Sequence, residues 1–257
     1  MCAPLNHNLS RVLSPAVEAI ERAIQSPLCG IYVHWGPFAS GKTVALKDMT
    51  VIMQSKGYIV KYLDAKDKGS MGDNDPTFIN WLRFHLGLSH RRCTDDLDAF
   101  LPKSKAGPTV IIINHFEDFL WTPDAKSVIE GLCRDAFEKK TYKIVLCITR
   151  LEKALEVLNW NGGASEKLQI AASAGCGRWD IGCIQAMAAL APRLSRIAAE
   201  QRAEIIRLGA VSGSPSVLRE MVFTGPNEAR AVAIQKQYDA GIEKINELSL
   251  SLGSTPA

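Results

Sequence analysis

The chain has 257 residues, 47% of them hydrophobic and 22% charged, with a net charge of +3, which suits one large α/β core plus a smaller helical piece. No run approaches the 18 or more apolar residues of a membrane span, and the amino terminus MCAPLNHNLSRV lacks the basic-then-apolar layout of a secretory leader. A soluble intracellular protein, cytoplasmic or nuclear and without a membrane span, is expected, and the charge is too small to imply nucleic-acid binding by itself.

Seven cysteines, an odd number, are spread along the chain without metal spacing. Cys176 and Cys183 alone lie close together, with no second pair and no nearby histidine, so a zinc site is not expected and a reducing compartment is the simpler inference. Cys133 and Cys147 fall in apolar runs and read as small core residues.

In chain order, residues 1–13 read as a loose lead. Ser14, a natural N-cap, and Pro15 then open a helix with Val17, Ile20, Ala23 and Ile24 on one face. Ile31 to Trp35 is an apolar run that predicts a buried strand. Gly36-Pro37-Phe38-Ala39-Ser40-Gly41-Lys42-Thr43 follows and fits G-x-x-x-x-G-K-S/T at every fixed position, with Val44, Ala45, Leu46 and Met49 beginning a helix.

Strand, glycine loop and helix in that order form a phosphate-binding loop rather than a chance turn. Gly36 and Gly41 are expected to take backbone angles closed to residues with a Cβ, so that amides from Gly36 through Val44 turn inward at the positive end of the helix. Lys42 is placed to reach the β and γ phosphates of a nucleotide, and the Thr43 hydroxyl to hold Mg²⁺.

Beyond Gly57, Tyr58 to Leu63 predicts a second strand ending at Asp64, and residues 65–76 an exposed loop. A helix opened by Pro76 carries Phe78, Ile79, Leu82, Phe84 and Leu86. His90, Arg91 and Arg92 beyond it suit a solvated helix end better than a phosphate or nucleic-acid contact.

Thr109 to Ile113 has the continuous apolar character of a central parallel strand. Asn114 stands at its tip, where a carboxylate orients Mg²⁺ through water in P-loop ATPases, and Glu117 and Asp118 come three and four positions later. In one reading Glu117 activates the attacking water, Asn114 is a neutral ligand to a metal-bound water and Asp118 assists the metal. In a second, the uncharged tip marks a slow or inactive site; in a third, the two acids merely begin a loop. His115 is assigned to the surface.

Ala125 to Phe137 predicts a helix, and Tyr142 to Ile148 a buried strand whose tip, Thr149, is the candidate sensor of the γ-phosphate, with Arg150 the weaker one. A helix over Leu151 to Leu158, a turn over 159–163 and a fifth strand over residues 167–172 follow. Past Gly177 strand character vanishes: helix is expected over 183–208 with a break near Pro192, over 216–222, and again after Pro226-Asn227, where Ala231, Ile234, Tyr238, Ile242, Ile245 and Leu248 share one face. The expected organisation is an α/β P-loop domain at 14–177, a helical lid with a C-terminal helix at 178–252, and a tail at 253–257.

This order of elements resembles the AAA+ ATPases and the related STAND ATPases over roughly Ser14 to Val222, on three segments: GPFASGKT, TVIIINHFED and SGSPSVLREM. The resemblance implies a P-loop NTPase with a central parallel sheet flanked by helices and followed by a small helical lid, with ATP and Mg²⁺ between the two. It implies further that Gly213 to Pro215 lies near the adenine or ribose and that Arg219 approaches the phosphates. The chain departs from the family at Asn114, where aspartate is usual, and at Ser216, where the second-sensor arginine would fall. Arg178, Arg193 and Arg196 are available as fingers in a homo-oligomer, though no spacing selects one.

The function expected is ATP hydrolysis coupled to lid movement, with a protein partner; the alternatives are a non-hydrolysing switch or scaffold, and a small-molecule or nucleotide kinase in which Asp64 orients the acceptor. A nucleic-acid role would run through the lid arginines.

Overall fold

Runs rich in β-branched residues pair most economically where both faces can be covered. Five strands form one parallel sheet: β1 (Ile31–Trp35), β2 (Val60–Asp64), β3 (Thr109–Asn114), β4 (Tyr142–Ile148) and β5 (Ile170–Ser173), in the order β2-β3-β4-β1-β5. The structure is a computed structural model, and it describes residues 14–26, 30–67, 77–88, 105–160, 170–173 and 178–251. Every residue of β1, β3 and β4 is buried, which is why these strands read as unbroken apolar runs.

Alternate residues of each strand face opposite sides. Tyr32, Val110, Ile112, Val145 and Cys147 pack with α1 (Pro15–Gln25) and α2 (Lys42–Ser55). Ile31, Val33, Trp35, Ile111, Ile113, Ile144, Leu146 and Ile148 pack with α3 (Phe78–Leu86), α4 (Ala125–Lys139) and α5 (Leu151–Asn159). Cys133 and Cys147 are buried, as expected of small core residues. Ser14 caps α1 by accepting from the Ala16 amide at 3.2 Å. The first amides of α3, from Phe78 and Ile79, instead find the distant Asp124 carboxylate at 3.1 and 2.9 Å.

The C-terminal part is helical: α6 (Ile181–Ala189), a 3-10 turn at Leu194–Arg196, α7 (Ala199–Ser212), α8 (Pro215–Thr224) and α9 (Glu228–Ser251). Ile205, Leu208, Val217, Met221 and Tyr238 join the same apolar cluster as one face of the sheet. Trp35, the last residue of β1, meets Tyr238 edge-on with ring centroids 6.3 Å apart, and a Cβ on Gly241 would fall 2.0 Å from its ring. The longest helix is thereby anchored beside the strand that leads into the glycine loop.

Several boundaries differ from expectation. β2 begins at Val60 rather than Tyr58, and α4 runs on to Lys139, where Lys140 turns left-handed at φ +54. The break expected near Pro192 is present: one helix ends at Ala189 and the next starts at Ala199 with a 3-10 turn between them, because Pro192 cannot donate within a continuous helix. β5 lies at Ile170–Ser173; the lead, Pro76, His90 to Arg92, residues 161–169 and the tail lie outside the described residues. Among the described residues no helix is long and apolar enough to cross a membrane.

Candidate functional site

At the carboxyl end of β1 the chain reverses over Gly36 to Gly41 and enters α2. The reversal needs left-handed backbone at two positions, Ala39 (φ +69) and Gly41 (φ +86). Gly36 is not among the positive-φ glycines, so the expectation for it is corrected: the second glycine and the alanine carry the turn, at the mouth of the helix. Left-handed backbone costs a residue with a Cβ about 1–2 kcal/mol and persists only where its surroundings fix it. Here the Ser214 hydroxyl donates to the Ala39 carbonyl at 2.6 Å, and the Ser40 amide donates to the Pro37 carbonyl at 3.3 Å.

Lys42, the first residue of α2, folds its ammonium back into this turn. It donates to the Gly36 and Pro37 carbonyls at 2.7 and 2.8 Å and lies 3.5 Å from the Ser40 hydroxyl. Burial holds its pKa below the usual lysine range, against the opposing pull of Cys147 and Glu117. A cation thus sits inside a ring of loop backbone at the positive end of a 14-residue helix, an arrangement that attracts an anion. Thr43 is half-buried in the first turn, whereas Phe38 and Val44 are exposed, leaving those two residues only their backbone to offer the loop.

The tips of β2, β3 and β4 supply the polar groups. Asn114 is buried, and its amide donates to Asp64 Oδ2 at 3.1 Å across the paired strand ends. His115 Nδ1 lies 3.0 Å from Asp64 Oδ1, which also accepts from the Lys66 amide at 3.0 Å. The surface assignment of His115 is therefore corrected: the residue is half-buried, left-handed at φ +56 and tied to a carboxylate. Burial raises the Asp64 pKa, but the hydrogen bonds from His115, Lys66 and Asn114 together outweigh it and hold the carboxyl below its ordinary value. The charge missing from the β3 tip is present one strand over, a pairing the sequence hides because the partners are 50 residues apart.

A 3-10 turn, Phe116–Phe119, is pinned by its two buried phenylalanines and carries Glu117 toward β4. Glu117 Oε1 accepts the Thr149 amide at 3.1 Å, while its Oε2 is buried without a partner among the described residues. Thr149 and Glu117 are thus brought together; Arg150 and Asp118 are exposed. Among the described residues no group of three or more His, Cys, Asp or Glu forms a metal cluster. Beneath the loop, His34 on β1 is fully buried, and burial, then the charge of Lys42, pushes its pKa down to about 3.

The SGSP segment closes the other side. Gly213 ends α7 left-handed at φ +59, and Ser214 caps α8 by accepting from the Val217 amide at 3.3 Å. Pro215 comes close enough to the loop that a Cβ on Gly41 would meet its Cγ at 2.8 Å. Arg219 is exposed on α8. Arg178 pairs with Asp239 at 3.0 Å, and Arg193 lies 4.5 Å over the Phe223 ring. Two surface clefts, about 510 Å³ against α5 and α9 and about 380 Å³ against α3 and α4, have no loop residue in their lining.

A parallel sheet flanked by helices, with a left-handed glycine loop between its β1 and α2 and a lysine folded into that loop, decides the architecture. The fold is that of a P-loop NTPase. No family model and no curated protein matches the sequence. Among solved structures the chain is similar to a DNA replication initiation factor, at 14% identity and a TM-score of 0.47 over 90% of this chain and 63% of that one. It is similar also to AMPPCP-bound DnaA from Aquifex aeolicus, at 13% identity and a TM-score of 0.45, covering 93% and 68% of the two chains. A third is a RuvB variant from Thermotoga maritima, at 14% identity and a TM-score of 0.39, covering 98% and 83%. The chain spans less than two thirds of the length of the initiation factor.

Proposed function

We propose that the protein binds ATP with Mg²⁺ in the Gly36 to Thr43 loop and hydrolyses it, and that the lid senses the occupancy of the loop. The observation that carries this is the Lys42 ammonium, 2.7 Å from the Gly36 carbonyl and inside the turn that would wrap the phosphates. On binding, the ammonium exchanges loop carbonyls for β and γ phosphate oxygens, and the amides at the start of α2 take the rest of the charge. The residues fit Mg²⁺ of the kind that arrives on a nucleotide: the Thr43 hydroxyl and, among the described residues, no acidic cage. When bound, that ion would neutralise charge on the β and γ oxygens, and Thr43 would hold it.

Glu117 Oε2, buried and without a partner among the described residues, is the acceptor for a proton from the attacking water, while the Thr149 amide fixes the other oxygen. The Thr149 side chain sits at the β4 tip to read the γ-phosphate. Asn114 and Asp64 orient this edge through their mutual hydrogen bond. Ser214 and Pro215 link the loop to the lid, so a change at Ala39 is felt at the start of α8. The test is phosphate release from Mg-ATP by the wild-type protein, Lys42→Ala and Glu117→Gln: hydrolysis above the Lys42→Ala level is expected only in the wild type.

A second reading, a nucleotide-holding switch or scaffold, is favoured by one feature, the neutral Asn114 at the β3 tip. It predicts tight Mg-ATP binding with no release above the Lys42→Ala background. A kinase is less well served, because Asp64 is already engaged by Asn114, His115 and Lys66.

A further inference from the structure

Trp179, at the start of the lid, is 3% exposed, yet its indole Nε1 has no hydrogen-bond partner among the described residues. A buried donor left unmade costs about 1–3 kcal/mol, so its direction is informative. Nε1 lies 3.4 Å from the point a Cβ on Gly41 would occupy, and it is the atom of the indole nearest that point. Gly41 is the left-handed N-cap of α2, and Pro215 flanks the same point from α8. The segment that carries the ring is fixed. Its own amide donates to the Gly213 carbonyl at 2.9 Å, the next residue, Asp180, caps α6 by accepting from Cys183 at 2.7 Å, and the side chain belongs to the core cluster.

An indole N–H donates and cannot accept. It faces a helix amino terminus, whose amides are donors too, and the Lys42 ammonium lies in the same loop. Donors converging from two elements leave one class of occupant, an anion rich in acceptor oxygens.

We propose that Trp179 is a nucleotide-binding residue, its indole N–H donating from the lid side to a phosphate oxygen of the nucleotide held in the Gly36 to Thr43 loop. This rests on the nucleotide-binding reading and adds to it a contact that only the closed approach of lid and loop can make. It also makes the lid part of the binding site, since the Trp179 backbone amide is tied to the Gly213 carbonyl.

The test uses the full chain, with indole nitrogens labelled and the Trp179 signal assigned from Trp179→Phe, a variant that keeps an aromatic ring and loses the donor. Titration with Mg-ATP is followed by the indole proton shift and by calorimetry, and a second titration uses adenosine in the same Mg²⁺ buffer in place of Mg-ATP. The expected result is a downfield shift of the Trp179 indole proton with Mg-ATP and none with adenosine, and an affinity for Mg-ATP about tenfold weaker in Trp179→Phe, as for one hydrogen bond to a charged group. A wild-type protein that binds Mg-ATP with the Trp179 proton unmoved, or moved equally by adenosine, overturns the proposal and leaves the P-loop reading standing. A wild-type protein that binds no Mg-ATP overturns both. Should Trp179→Phe fail to fold, the Trp179 signal is assigned by elimination from Trp35→Phe, Trp81→Phe, Trp121→Phe and Trp160→Phe, and the wild-type proton shift then decides.

Discussion

Glu117 and Thr149, which close the ends of neighbouring strands β3 and β4, are joined by a hydrogen bond of 3.1 Å from the Thr149 amide to Glu117 Oε1. One carboxylate oxygen is thereby fixed by backbone and the other is buried without a partner among the described residues. In Glu117→Gln the side-chain carbonyl can still accept the Thr149 amide, but the group can no longer take a proton. Phosphate release is expected to fall by about 10²–10⁴-fold, with Mg-ATP affinity changed by less than about threefold. Steady-state release and calorimetry on the same preparations measure both; equal losses of binding and turnover would show that Glu117 supports the site only structurally.

The Asp64 carboxylate, held low by His115, Lys66 and Asn114 against the effect of burial, is charged in the folded protein at pH values where an ordinary carboxyl begins to protonate. Its contribution to stability is complete above the unfolded value, near 3.9, and is lost as pH falls through the lower folded value. Asp64→Asn should flatten that acid limb and cost about 1 kcal/mol at neutral pH, a small amount because the side chain is 34% exposed. Urea unfolding at pH 7 and at about pH 3 compares the two proteins; parallel losses would remove Asp64 from the account.

His34 behaves differently. Its pKa near 3 means the folded protein refuses a proton that the unfolded chain accepts below about 6.5. Stability is therefore full above that value and falls as pH drops from there toward 3. Wild-type protein should lose stability between about pH 7 and pH 5, and His34→Gln should lose distinctly less over the same interval in chemical denaturation; identical slopes would contradict a buried neutral histidine.

Two glycines in helices make a controlled pair. A Cβ at Gly241 would collide with the Trp35 ring at 2.0 Å, whereas one at Gly131 meets nothing within 4 Å. Gly131→Ala should stabilise by about 0.5–1 kcal/mol through helix propensity. Gly241→Ala should destabilise by about 1–3 kcal/mol through overpacking, and it should weaken nucleotide binding as well, because Trp35 immediately precedes Gly36. Thermal melts with and without Mg-ATP read both effects.

How much of this was legible follows from the range of the interactions. The motif, the strand β4 and the Ser14 cap were plain because their determinants are local: fixed spacing, an apolar run, and a hydroxyl two residues from its donor. The resemblance implied only that Gly213 to Pro215 lies near the adenine or ribose; the bond of Ser214 to the loop carbonyl of Ala39 was not legible, since the two are 175 residues apart. His115 was misassigned because its partner, Asp64, is on another strand, and nothing in a single sequence states that β2 pairs with β3. Gly36 misled by its identity: a conformational preference allows left-handed backbone but does not require it, and Ala39 took the angle because Ser214 holds its carbonyl.

The central claim is that a triphosphate tail occupies the turn now closed by Lys42. Calorimetric titration of the wild-type chain and Lys42→Ala with Mg-ATP tests it most directly. Saturable binding to the wild type, weakened at least tenfold in a folded Lys42→Ala, is the predicted result; no binding to the wild type, or equal binding to both, would contradict it.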